Sequence, residues 1–328
     1  HTDQGDTRLS SLQDTAVAGR EKSRTWLRYA LATVALWCVW GAFACISAER
    51  GFPDTLVYCV WSLTMIPPAL VVLARDGWHL DRSPRAIAYG LAIGLLGAGG
   101  QMLLFYGLTI GPPWLMFPII SLSPAVTIVM SYLLLGERTN RIGAFGIVLA
   151  LVAVPFFDFS LQGFTTGQGL GWLALALLVM ACWGVQAYFM KLANHHMRAE
   201  SIFFYMMLSG LALAPVAWAM TDFSTPVNLA WDVPYLAALI QSLNAVGALL
   251  LVYAFRYGKA IVVAPLTNAG APLATALIAL LVMQVLPGPW KLFGIALALV
   301  AAVLLSLAEA GAETPEVAAK PLAEAGTR

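Results

Sequence analysis

Ten stretches of this chain, each 18–24 residues long, are apolar and hold at most one charge each, next to an end, and the other charged residues are gathered between them and in the tails. The stretches run over 27–47, 55–74, 86–108, 113–135, 142–159, 170–190, 201–220, 234–255, 262–285 and 290–308. A helix needs about 20 apolar residues to cross the hydrocarbon core of a bilayer. Only helices and closed barrels cross it with every backbone group satisfied. A charged content of 11%, against about 25% in a soluble domain, says the same of the whole surface. The sequence predicts an all-α integral membrane protein with ten transmembrane helices. The connectors hold about a dozen residues at most, too few for a soluble catalytic domain.

The positions of the cations test that count. With the N-terminus placed in the cytoplasm, Arg75, Arg82, Arg85, Arg138, Arg141, Lys191, Arg198, Arg256 and Lys259 all fall inside, as do the cations of both tails. Only Arg50 and Lys291 fall outside, so sixteen of eighteen obey the positive-inside rule. A missed or invented span would have scattered them. Both termini are expected in the cytoplasm, and the membrane is expected to be the inner (plasma) membrane.

The ten spans divide into two copies of five. Phe145–Ala153 reads FGIVLALVA and Phe293–Ala301 reads FGIALALVA, one substitution apart at a spacing of 148. Gly100, Leu103, Leu104, Tyr106, Gly111 and Pro118 recur 147 residues later as Gly247, Leu250, Leu251, Tyr253, Gly258 and Pro265. Pro124 and Thr127 recur as Pro272 and Thr275, and Trp40-Gly41 matches Trp183-Gly184. An odd number of spans between copies makes them antiparallel, which is the inverted repeat of many secondary transporters. The expected organisation is a disordered tail 1–25, a first repeat 26–159, an external linker 160–169, a second repeat 170–308 and a disordered tail 309–328. The polar first 25 residues read as no signal peptide.

These motifs resemble the EamA-type branch of the drug/metabolite transporter superfamily. The resemblance rests on Trp40-Gly41 and Trp183-Gly184 in the first helix of each repeat, on Ser123-Pro124, and on Gly136-Glu137-Arg138 closing the fourth span. It covers roughly 26–308 and implies a five-plus-five inverted repeat that exports small organic solutes, amino acids in many members. The second repeat departs from the pattern, with Ala271-Pro272 for Ser-Pro and Met283-Gln284-Val285 in place of a second Gly-Glu-Arg. The lysine that often follows the Trp-Gly is present as Lys191 but is Ala48 in the first repeat.

Within the ten spans the only Asp, Glu, Lys, Arg or His residues are Arg28, Asp158 and Lys291, each the second residue from a span end, so the membrane interior holds none. Intramembrane ionisable groups mark proton relays and ion sites, so a carrier coupled through a buried carboxylate is not expected. Phosphorylated substrates want Lys or Arg clamps, which disfavours a nucleotide-sugar or phosphorylated-metabolite translocator of the same fold. A different class, an integral-membrane lipid-modifying enzyme, would need clustered acids or metal ligands, and the loop acids Asp76, Asp81 and Asp158 form none. Cys38, Cys45, Cys59 and Cys182 sit in apolar stretches and read as small core residues. His195-His196 with Glu200 lacks a metal spacing. No catalytic residue, metal or cofactor is expected.

The chemistry left inside the membrane is aromatic, amide and hydroxyl. Trp40, Gln101, Tyr106, Trp114, Trp183, Gln186, Asn244, Tyr253 and Asn268 are the candidates to line a substrate path, with Trp37, Tyr188 and Gln241 close by in sequence. Aromatic faces attract a substrate ammonium, and amides fix polar groups; either residue type can equally serve helix packing. Pro118, Pro124, Pro265 and Pro272 are expected to break the fourth and ninth helices at matched depths and act as hinges or gates. The expected partners are a small-molecule substrate, an amino acid or similar metabolite, and the lipid bilayer. No nucleic acid is expected, and the protein is expected to be a monomer or homodimer. The function expected is an exporter of amino acids, aromatic or hydrophobic ones above all, working by alternating access.

Overall fold

The computed structural model describes residues 25–44, 46–110, 119–120, 122–156, 171–281 and 288–312. They form helices and their connections, with no strand among the described residues. In chain order the long helices are α1 (25–43, followed by a single turn at Ile46–Glu49), α2 (Asp54–Arg75), α3 (Pro84–Ile110), α4 (Ser123–Leu134) and α5 (Arg141–Phe156). The second set is α6 (Gly171–Ala193), α7 (Ala199–Ala219), α8 (Asp232–Tyr257), α9 (Ala260–Leu281) and α10 (Pro289–Ala312). Each falls on one of the ten predicted spans. Among the described residues, six regions are long and apolar enough to cross a membrane, while α4 and the apolar parts of α5 and α10 are shorter. Residues 1–24 and 313–328 of the expected tails, the linker 160–169, Trp114 and Pro118 lie outside the described residues, whereas 309–312, expected in the disordered tail, continue α10.

The repeated nonapeptide packs against its own copy. Gly146 of α5 faces Leu304 and Leu305 of α10, while Gly294 of α10 faces Ala153 and Phe156 of α5. As one index rises the other falls, so the two segments run antiparallel, as an inverted repeat requires. The glycines let the backbones approach closely, which is what drives helix association in lipid. Phe145 and Phe293 are 58% and 49% exposed, and Phe293 still meets Phe156 of α5 edge-on, with ring centroids 5.1 Å apart.

The same antiparallel rule joins the two repeats elsewhere. The first helix of each packs on the third helix of the other: α1 on α8 through Trp37 and Gly247, α6 on α3 through Trp183 and Gly100. A Cβ on Gly100 would stand 2.6 Å from the indole nitrogen of Trp183, so only glycine admits that ring. Gly184 has the same role against α4. Its Cβ would lie 2.5 Å from Val126 Cβ and 2.6 Å from the Ser123 carbonyl oxygen. Thr127 Oγ1 donates to the Gly184 carbonyl at 2.9 Å. The Trp-Gly and Ser-Pro motifs thus meet in one contact.

Proline chemistry sets the helix breaks, and not as the sequence alone predicted. Pro67 and Pro68 lack the N–H groups that Leu63 and Thr64 carbonyls need, and α2 is interrupted there, at Met65. Pro124 opens α4 in its first turn, where a missing N–H costs nothing. Pro265 and Pro272 correct the expectation of a broken ninth helix, because α9 runs continuously through both. Next to Pro265, Thr267 Oγ1 bonds the Val263 carbonyl at 2.9 Å and Asn268 Nδ2 bonds the Ala264 carbonyl at 3.0 Å, so side chains add bonds where one backbone donor is lacking. At the start of α9, Glu137 of the Gly-Glu-Arg motif accepts the Ile261 N–H at 3.1 Å. A carboxylate at a helix N-terminus is stabilising there.

Candidate functional site

Halfway along α1, α2 and α8 lies a cluster of rings and amides. Asn244 is its centre: Trp61 Nε1 donates to the Asn244 side-chain oxygen at 2.8 Å, and Trp37 Nε1 donates to its backbone carbonyl at 3.3 Å. One turn toward the α8 start, Trp40 Nε1 donates to Gln241 Oε1 at 3.2 Å. In the other repeat Trp183 Nε1 donates to the Gly97 carbonyl at 3.3 Å, and Gln186 packs on Gly97. Each of these indole N–H groups is engaged within the protein. The rings therefore present faces rather than donors, suited to stacking on an apolar or cationic group.

The bonds also fix the register of the repeat. Trp37 donates to the carbonyl of residue 244 and Trp183 to that of residue 97, a pair 147 apart. Trp183 thus corresponds to Trp37, and Trp40 corresponds to Gln186. This corrects the match of Trp40 with Trp183, which is offset by about one helical turn. The dipeptide Trp-Gly misled because Trp occurs twice, one turn apart, in α1. A stronger signal stood in α2 and α7, where Tyr58, Ser62 and Pro68 recur 147 residues later as Tyr205, Ser209 and Pro215. Tyr58, Ser62, Tyr205 and Ser209 are all buried.

Below this cluster a cavity of about 470 Å³ opens between α1, α2, α7 and α8. Pro68, Val71 and Val72 of α2 and Val246, Leu249 and Leu250 of α8 give it hydrocarbon walls. Tyr29, Arg75, Asp76, Glu200 and Tyr253 give it a polar end. Val246 is two residues from Asn244, so the cavity ends near the ring cluster. Of the predicted path residues, Tyr253 lines it. Its ring stacks on Tyr29 with centroids 5.0 Å apart, and its hydroxyl donates to Glu200 Oε1 at 2.5 Å.

The remaining candidates separate from that group. Asn268 turns back on its own helix. Gln101 is half-buried on α3 beside the Trp183 contact, and Tyr106, Tyr253's counterpart, is 50% exposed. Trp114 and Pro118 are outside the described residues, as is the side chain of Pro272.

Residues assigned to connectors prove to organise this end of the bundle. Helix α6 extends beyond the predicted span and carries Lys191 inside, 8% exposed. Its ammonium donates to the carbonyls of Phe255 at 3.0 Å and Gly258 at 2.6 Å, capping α8 at its negative pole. Asn194 Nδ2 adds a bond to the Val252 carbonyl at 3.0 Å. Across the cavity mouth, Arg198 pairs with Asp76 at 2.5 Å, which raises the guanidinium's already high pKa further. Its backbone N–H donates to Asp81 Oδ2 at 2.7 Å, and the Tyr205 hydroxyl donates to the Asp81 carbonyl at 2.7 Å. These bonds latch the α2–α3 connection onto the start of α7.

A sequence model of the EamA-like transporter family matches residues 24–157 and again 170–307, most of the chain. No curated protein gives a significant match. A solved structure described only as the crystal structure of a protein superposes with a TM-score of 0.71, over 88% of this chain and 99% of that one. At 16% identity that likeness speaks for the fold alone.

Proposed function

The chain belongs to the EamA-like transporter family, and from that premise we propose that it exports amino acids, aromatic or other hydrophobic ones above all. Family membership makes it a multi-pass membrane protein that moves small solutes. The substrate, the inner-membrane location with both termini in the cytoplasm, and the two repeats 26–159 and 170–308 as the moving units are our reading.

The observation that carries it is the stack of chemistry along one path. A cavity of about 470 Å³ with hydrocarbon walls ends beside Asn244, on which the Trp37 and Trp61 indoles converge. Small-molecule sites run from roughly 300 to 1,000 Å³ and combine apolar walls with a few placed polar groups. An aromatic amino acid suits that size, and its side chain suits the ring faces. Trp40 with Gln241 extends the ring and amide chemistry by one turn toward the α8 start, and Trp183 with Gln186 forms the related contact against α3. The described centre of the bundle holds amides and indoles rather than carboxylates, which favours downhill export or exchange over proton coupling through a buried acid.

Tryptophan fluorescence of the purified protein tests the substrate class. Titration with aromatic amino acids should quench or shift the emission saturably, and Asn244→Leu should weaken the effect about tenfold. Finding no saturable response to any of the common amino acids would remove them as substrates.

A further inference from the structure

We propose that the cavity between α1, α2, α7 and α8 recognises an organic ammonium group, with Glu200 as its counter-ion. This rests on the transporter reading above and adds the group by which the solute is held.

The cavity has two unlike ends. Its walls are hydrocarbon from Val71, Val72, Leu249 and Leu250, and its charged groups are gathered at the mouth. Two carboxylates stand there, and their situations differ. Asp76 is neutralised by Arg198 at 2.5 Å. Glu200 forms no ion pair among the described residues; it accepts a neutral hydroxyl from Tyr253 at 2.5 Å. A carboxylate has about four acceptor sites, and one hydroxyl occupies one of them. An ammonium brings three donors and a full positive charge, the complement of what Glu200 still lacks.

The surroundings make a cation the favoured guest. Tyr253 is held in place by stacking on Tyr29, at 5.0 Å and an interplanar angle of 20°. Tyr29 in turn stacks on Tyr257 at 5.8 Å. Arg198 feels the Glu200 charge at longer range without pairing with it. Electron-rich tyrosine surface beside a carboxylate with no direct ion pair among the described residues attracts a cation by two independent terms. The hydrocarbon walls then take an apolar body attached to that cation. Arg75, at the same mouth, leaves a place for a carboxylate on the same solute, so a zwitterion is accommodated as well as a simple amine.

Isothermal titration calorimetry of the full chain in nanodiscs tests this with three probes: 2-phenylethylamine, 3-phenylpropionate and phenylalanine. The wild type should bind 2-phenylethylamine at least tenfold more tightly than 3-phenylpropionate. Glu200→Gln keeps an acceptor for the Tyr253 hydroxyl and removes the charge. It should weaken the amine at least tenfold and leave 3-phenylpropionate unchanged. Equal binding of amine and propionate by the wild type overturns the proposal without recourse to any variant. So does undiminished amine binding by a folded Glu200→Gln, or no amine binding at all. Amino-acid transport that persists without an amine preference defeats this inference alone. Amine binding at Glu200 with no amino acid transported defeats the substrate reading and leaves the site standing.

Discussion

Replacing Lys191 by methionine measures how firmly the end of α6 is tied to the end of α8. Lys191 is 8% exposed, and its ammonium lies 3.0 Å from the Phe255 carbonyl and 2.6 Å from that of Gly258. Methionine keeps the length and apolar packing of the stem and removes both donors. Hydrogen bonds to a charged group contribute about 1.5–3 kcal/mol each. Part of that is returned because no ammonium then needs desolvating, and part is added because carbonyls around Phe255 are left without a donor in a buried place. The balance is a loss of about 2–4 kcal/mol. At roughly 2 °C per kcal/mol for a large domain, the melting temperature falls by about 4–8 °C. Intrinsic fluorescence of detergent-purified protein, heated at one fixed scan rate, reads the shift. Lys291→Met, at the start of α10, serves as control and should melt with the wild type. A Lys191→Met melting temperature within a degree of wild type would refute the capping role.

Other consequences follow from single contacts. Gly247→Ala drives a methyl into the Trp37 indole and Gly100→Ala drives one into that of Trp183; each should cost about 1–3 kcal/mol by overpacking, read as a lower melting temperature, and melts equal to wild type would deny the close approach. Trp61→Phe removes the 2.8 Å bond to Asn244, so stability should fall by about 1 kcal/mol and transport should slow, whereas Trp78→Phe, on an exposed turn, should alter neither. Arg198→Met releases the latch on Asp76, and hydrogen exchange over residues 76–83 should accelerate; unchanged exchange would show that the Asp81 bonds suffice alone.

The fold was legible because lipid imposes simple rules. Charge kept to the ends of ten segments located α1 to α10, and the echo of Phe145–Ala153 in Phe293–Ala301 foretold an antiparallel α5–α10 contact that Gly146 and Gly294 make. What failed were inferences from short motifs. Trp40-Gly41 paired with Trp183-Gly184 by letter, yet bonding pairs Trp183 with Trp37, because a helix repeats its face every turn and a dipeptide does not fix which turn. Prolines were expected to break α9, and the helix runs through both. The cavity was only half visible. Tyr253 could be picked out as a polar ring within a span, but its partner Glu200 lies 53 residues earlier in a connector between predicted spans. Helices that outlast their apolar segments bring such terminal charges, Lys191 and Glu200 among them, into the protein. Hydropathy alone has no means to show it.

Counterflow in proteoliposomes tests most directly whether this chain is a carrier of amino acids that needs no imposed ion gradient. Vesicles loaded with unlabelled phenylalanine and diluted into trace labelled phenylalanine, at equal pH on both sides, should accumulate label transiently, and protein-free vesicles should not. No accumulation for phenylalanine or any other amino acid, or accumulation only under an imposed proton gradient, would contradict the account.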